Sequence, residues 1–164
     1  MFSTKSGANL LRVATPFCFC IFLSALVPTF GSIKPTTEPQ GGIAEPAREA
    51  TAQKFVEGKL RVWQERMGLQ DWKIQVQLVR SDKLEPRTLG DVHWDTDLKQ
   101  ATIGVLSTYD YPLPYQPMLA DMEVTVVHEL VHIELASIPH TDAGRPEEEH
   151  AVVALTRVLL GMAK

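Results

Sequence analysis

The spacing of apolar residues switches twice along this chain, and that switching limits the fold more than any other feature of the sequence. After Pro46, the residues Val56, Leu60, Trp63 and Met67 recur at helical spacing, and Gly68 stands where a left-handed residue can end the helix. From Trp72 the period becomes two. Trp72, Ile74, Val76 and Leu78 alternate with Lys73, Gln75 and Gln77, the pattern of a half-buried strand. Shorter strand candidates follow at residues 89–94 and 101–106, the second with Ala101, Ile103 and Val105 on one face. Beyond a Pro- and Tyr-containing loop over residues 109–117, helical spacing returns from Asp121 to about Ile138, and again from Pro146 onward. The expected fold class is α+β: a leading helix, a small three-stranded sheet and two closing helices. No period of 20–50 residues repeats, so solenoids and arrays are excluded.

The front of the chain follows different rules. Residues 13–30 contain no charge, and Lys5 and Arg12 precede them, which is the layout of an export signal. Thr29 and Gly31 are the small residues before an expected cleavage at Ser32, so residues 1–31 read as a signal peptide and the chain as exported, periplasmic or secreted. The membrane is a partner only if that segment stays uncleaved, and Pro16, Ser24 and Pro28 weaken it as a span. Residues 32–45 have linker composition, which leaves residues 46–164 as the folded domain. Both cysteines, Cys18 and Cys20, fall inside the apolar run. Any metal in the domain must therefore be held by His, Asp or Glu. The net charge of −4 becomes more negative once Lys5 and Arg12 are removed, which argues against nucleic acid as a partner.

Chemistry concentrates in His128-Glu129-Leu130-Val131-His132. Two histidines four residues apart project from one helical face and can bind one Zn²⁺ through imidazole nitrogens. Glu129 lies about 100° round the helix, beside the metal without being its ligand, where it can take a proton from water. With 5 His in 164 residues the pattern arises by chance in roughly one chain in a hundred, so its setting must add weight. It does: Val124, Val126, Val127, Leu130, Val131, Ile133 and Leu135 surround the motif and imply a buried helix. Three polar side chains there need partners, and one metal site accounts for all three.

On these residues the chain resembles the zincin metallopeptidases. The five-residue motif is the specific part, while the order of elements over residues 46–164 matches a minimal zincin core. The metzincin subtype would require Gly at position 135 and His at position 138, which hold Leu135 and Ile138. The resemblance is to the gluzincin arrangement, in which a Glu from the following helix completes the metal set, and here Glu147-Glu148-Glu149 follow Pro146. Val152, Leu155, Leu159 and Met162 read as the inward stripe of that helix, and stepping back four residues from Val152 reaches Glu148. Glu148 is the expected third ligand. Glu149, on the neighbouring stripe of Val153, Thr156 and Leu160, is the alternative, with His140 and His150 as further candidates. A third His would resemble the SprT-like family, whose DNA-associated members suit a more basic protein. Larger gluzincins place an Asp four residues after the ligand Glu to hold the first zinc His; Val152 stands there in this chain, leaving that acceptor unassigned.

The resulting expectation is an exported zinc-dependent peptidase acting on a peptide or protein substrate. His128, His132 and Glu148 would be the metal ligands, Glu129 the general base, and the strand at residues 101–106 a sheet edge for substrate. The alternative is a noncatalytic zinc-stabilised binding domain on the same scaffold. Tyr109, Tyr111, Tyr115, Arg145 and His150 are candidates to stabilise an oxyanion but read more simply as loop or rim residues. Trp63, Trp72 and Trp94 read as core, and His93 as an ordinary strand residue.

Overall fold

The computed structural model describes residues 44–138 and 144–162. Residues 1–31, expected to be a signal segment, most of the expected linker at 32–45 and the candidate ligand His140 lie outside them. The elements are α1 (Glu45–Arg66), β1 (Lys73–Val79), β2 (Gly90–Asp95), β3 (Gln100–Leu106), α2 (Tyr115–Leu135) and α3 (Arg145–Leu159), with a short 3-10 turn at Ser81–Lys83. This is an α+β arrangement of three helices and a three-stranded mixed sheet. Among the described residues no helix is long and apolar enough to cross a bilayer.

Helix α1 carries Pro46 in its first turn, where a missing N–H costs nothing, and buries Ala52, Val56, Leu60 and Trp63. Gly68 has φ 74°, with its N–H bonded to Glu65 O at 3.2 Å and the Leu69 N–H to Gln64 O at 2.9 Å. That pair of bonds satisfies two of the last carbonyls and turns the chain into β1.

The strand order is β1-β3-β2, with β3 parallel to β1 and antiparallel to β2. Val76, Ile103 and Val92 share one cross-strand row, and this face forms the core with α1 and α2. The segment 101–106 is thus the central strand rather than an edge. Both sides of its ladder are occupied, because β3 pairs with the hairpin partner before it and with β1. The outer side of β1 is also engaged. Gln53 of α1 donates from Nε2 to Val76 O at 2.9 Å and accepts from Leu78 N–H at 3.0 Å, substituting for a neighbouring strand. Among the described residues the outer side of β2 pairs with no strand.

Helix α2 begins at Tyr115, six residues before the expected Asp121. Pro114 and Pro117 read as loop residues, yet Pro117 falls in the first turn, where the backbone N–H would have no helical partner anyway. The connection into α2 is tied to α1 by Glu49, which accepts from Ser107 Oγ at 2.7 Å and Thr108 N at 2.9 Å. Every residue of α2 from Thr125 to Ile133 is buried. Helix α1 and α2 are joined by Glu123, which accepts from Trp63 Nε1 at 2.9 Å and pairs with Lys59 Nζ at 2.6 Å.

Helix α3 packs on α2 through Val152 and Thr156. The expected inward stripe fails beyond Val152, because Leu155, Leu159 and Met162 are 45%, 41% and 56% exposed. A helix with one principal neighbour buries only a narrow line, and that line here runs through Val152 and Thr156, rotated from the most apolar stripe.

Two predictions come from this packing. A β carbon on Gly90 would lie 2.4 Å from Thr125 Cγ2 and 2.9 Å from Gly104 O, whereas one on Gly58 would meet only Arg61 Nη2 at 3.9 Å. Gly90→Ala is expected to destabilise by ~1–3 kcal/mol and Gly58→Ala to stabilise by ~0.5–1 kcal/mol, read by thermal unfolding. The second concerns Glu123. Burial pushes its carboxyl up, and the Lys59 ammonium and Trp63 N–H outweigh that and hold it below the usual carboxylate range. Its contribution is therefore present above about pH 4.3, the unfolded value, and is lost as pH falls through the lower folded value. Glu123→Gln should cost about 1 kcal/mol at neutral pH, and the gap to the parent should close in urea unfolding under progressively more acidic conditions.

Candidate metal centre

Four residues of α-helix make slightly more than one turn, so α2 sets His128 and His132 on one face with ring centroids 5.0 Å apart and planes at 67°. Both rings are buried, at 7% and 5% exposure. The first turn of α3 meets them. Glu149 directs one carboxylate oxygen to each: Oε1 lies 3.1 Å from His128 Nε2, and Oε2 lies 3.4 Å from His132 Nε2. Glu148 reaches the other nitrogen of the second ring, with Oε1 3.3 Å from His132 Nδ1.

Ligand atoms of His128, His132 and Glu149 all lie within 4.8 Å of one another, and this group could hold a metal ion. Tetrahedral ligands at about 2.0–2.1 Å from zinc stand about 3.3 Å apart. The contacts of 3.1 and 3.4 Å, made by different oxygens of Glu149, are close to that spacing, and one ligand atom from each residue lies within 4.8 Å of the others. Alignment adds a second argument. The buried His132 Nε2 and Glu149 Oε1 have no hydrogen-bond partner of good geometry among the described residues, despite the short separations. A cation between them would give both lone pairs a partner. Burial pushes the Glu149 carboxyl up, but the imidazoles of His128 and His132 outweigh it and hold it down to about 2. Glu149 is therefore ionised at neutral pH, as a ligand must be.

Glu129 is fully buried on the same helix. It faces the start of β2: a β carbon on Gly90 would stand 3.2 Å from its Oε1. Only a glycine there lets strand and helix approach so closely. Gly90 thus brings the inner face of the first residue of β2 to the Glu129 carboxylate.

His128 and His132 share one face as expected, while Glu129 is buried on the same helix and faces Gly90. The ligand expected at Glu148 is placed differently, since Glu148 touches only His132 and from its far side, while Glu149 faces both rings. The cause is the rotation of α3, whose buried line through Val152 and Thr156 reaches back three residues to Glu149. Glu147 and His150 are exposed. Tyr111 donates to Asp121 Oδ2 at 2.6 Å, and Tyr109 lies under the Arg80 guanidinium at 5.3 Å, so both have structural partners. Trp63 is core, Trp72 and Trp94 pack against it, and His93 sits on the outer sheet face 3.2 Å from Asp91. Gln53 and Gly90 were not singled out from the sequence. A glycine opening an alternating strand was the available signal for the latter.

If the group binds zinc, adding the ion to chelator-treated protein should raise the melting temperature, with about 2.7 kcal/mol of stabilisation at a hundredfold excess over Kd. His132→Ala should abolish the rise. No family model, curated protein or solved structure matches the chain.

Proposed function

We propose that the chain is a zinc-dependent metallopeptidase with the catalytic helix at α2. The observation that carries this reading is the convergence of His128, His132 and Glu149 around one point, with the buried Glu129 next to the first of them on the same helix. His128 and His132 would hold Zn²⁺ through Nε2 and Glu149 through its carboxylate. Zinc in such a set supplies Lewis acidity, polarising a substrate carbonyl and making water acidic near neutral pH.

The remaining roles fall to the chain itself. Glu129 takes the proton from the attacking water on its carboxylate and returns it to the leaving amine nitrogen. The edge of β2 is where an extended peptide would add, because Gln53 occupies Val76 O and Leu78 N–H on the edge of β1 and β3 is central. Gly90, the first residue of that strand, lies against Glu129, so main-chain pairing near it would bring a peptide bond toward the general base. The negative net charge of −4 suits a peptide or protein substrate better than nucleic acid. The leader-like composition of residues 1–31 supports action outside the cytoplasm.

Hydrolysis of a quenched-fluorescent peptide library by the zinc-loaded chain tests the reading. Glu129→Gln should retain zinc and lose roughly 10²- to 10⁴-fold in kcat. Zinc binding without any hydrolysis that depends on Glu129 would instead indicate a zinc-stabilised binding domain.

A further inference from the structure

We infer that Glu148 is a positioning residue for the metal centre: it accepts the Nδ1–H of His132 and so fixes that ring with its Nε2 lone pair toward the metal. The inference rests on the metal-binding reading and extends it to a residue outside the converging group. A metal-ligating imidazole carries its proton on one nitrogen and its lone pair on the other, and the partner of the N–H decides which. His132 is 5% exposed, so an N–H without an acceptor would be costly. Among the described residues the polar side chain at Nδ1 is Glu148, at 3.3 Å.

The neighbouring carboxylate cannot serve in its place, because both oxygens of Glu149 are directed at Nε2 atoms. Consecutive residues diverge by about 100° around a helix. Two adjacent glutamates can therefore take the two nitrogens of one ring from different directions. Their surroundings differ accordingly: the Glu148 side chain is 23% exposed and that of Glu149 15%. Glu148 keeps part of its hydration, which suits a hydrogen-bond acceptor that is not itself a ligand. Burial and hydrogen bonding of this kind hold a ring's orientation and tautomer before the ion arrives.

The test uses the full chain labelled with ¹⁵N-histidine, with Zn²⁺ for affinity and Co²⁺ as a spectroscopic substitute. Long-range ¹H–¹⁵N spectra of the zinc form should show His132 as the Nδ1–H tautomer. Glu148→Ala should weaken zinc binding by roughly 10- to 100-fold in chelator competition while leaving the Co²⁺ visible bands in place. Glu148→Gln should stay within a few-fold of the parent, since its amide oxygen can accept the same bond. Glu149→Gln should lose more affinity than Glu148→Ala and alter the Co²⁺ bands. Unchanged affinity and tautomer in Glu148→Ala would overturn the inference alone, and altered Co²⁺ bands in that variant would make Glu148 a ligand instead. A parent chain that binds neither ion would remove the metal reading and this inference together.

Discussion

Helix α2 is the element on which everything else leans, and its constraint is that a nearly all-apolar helix carries three polar side chains inside it. Packing α2 against α1, β2, β3 and α3 removes it from water over most of its circumference. The apolar residues gain from that burial, while His128, Glu129 and His132 would each lose hydration without compensation. The first turn of α3 supplies the counterpart for the two histidines. Its carboxylates reach both rings, so the position of α3 is set as much by this polar contact as by Val152 and Thr156.

The sheet is small, but its topology has functional weight. Placing β3 in the middle uses its backbone groups on both sides, and the Gln53 amide engages β1 from α1. The remaining edge belongs to the strand that touches Glu129. A glycine at the head of β2 makes that proximity possible, because any side chain there would meet Thr125 and the carboxylate. Fold and site are therefore connected at Gly90, a residue with no chemistry of its own.

The adjacent glutamates of α3 have different surroundings. Glu149 faces two nitrogens and is ionised despite its burial, and Glu148 stands on the far side of one ring with its side chain 23% exposed. Glu147 is outside the cluster altogether. The macrodipole favours all three carboxylates at a helix N-terminus. What separates them is only the angle at which α3 meets α2.

Much of this is legible in the amino-acid sequence. The three apolar periods implied three helices and three strands in the observed order, and Gly68 marked a helix end through its freedom at positive φ. The His128–His132 spacing implied two rings on one face because helical geometry is local. The start of α2 was misread because Pro114 and Pro117 resemble loop residues, although proline in a first helical turn breaks no bond. The strand order, the rotation of α3 and the resulting exchange between Glu148 and Glu149 could not be read this way. Periodicity reports which face of a helix is most apolar, but a helix packed mainly on one neighbour need not bury that face, so only the tertiary contact between α2 and α3 decided which carboxylate faces both histidines.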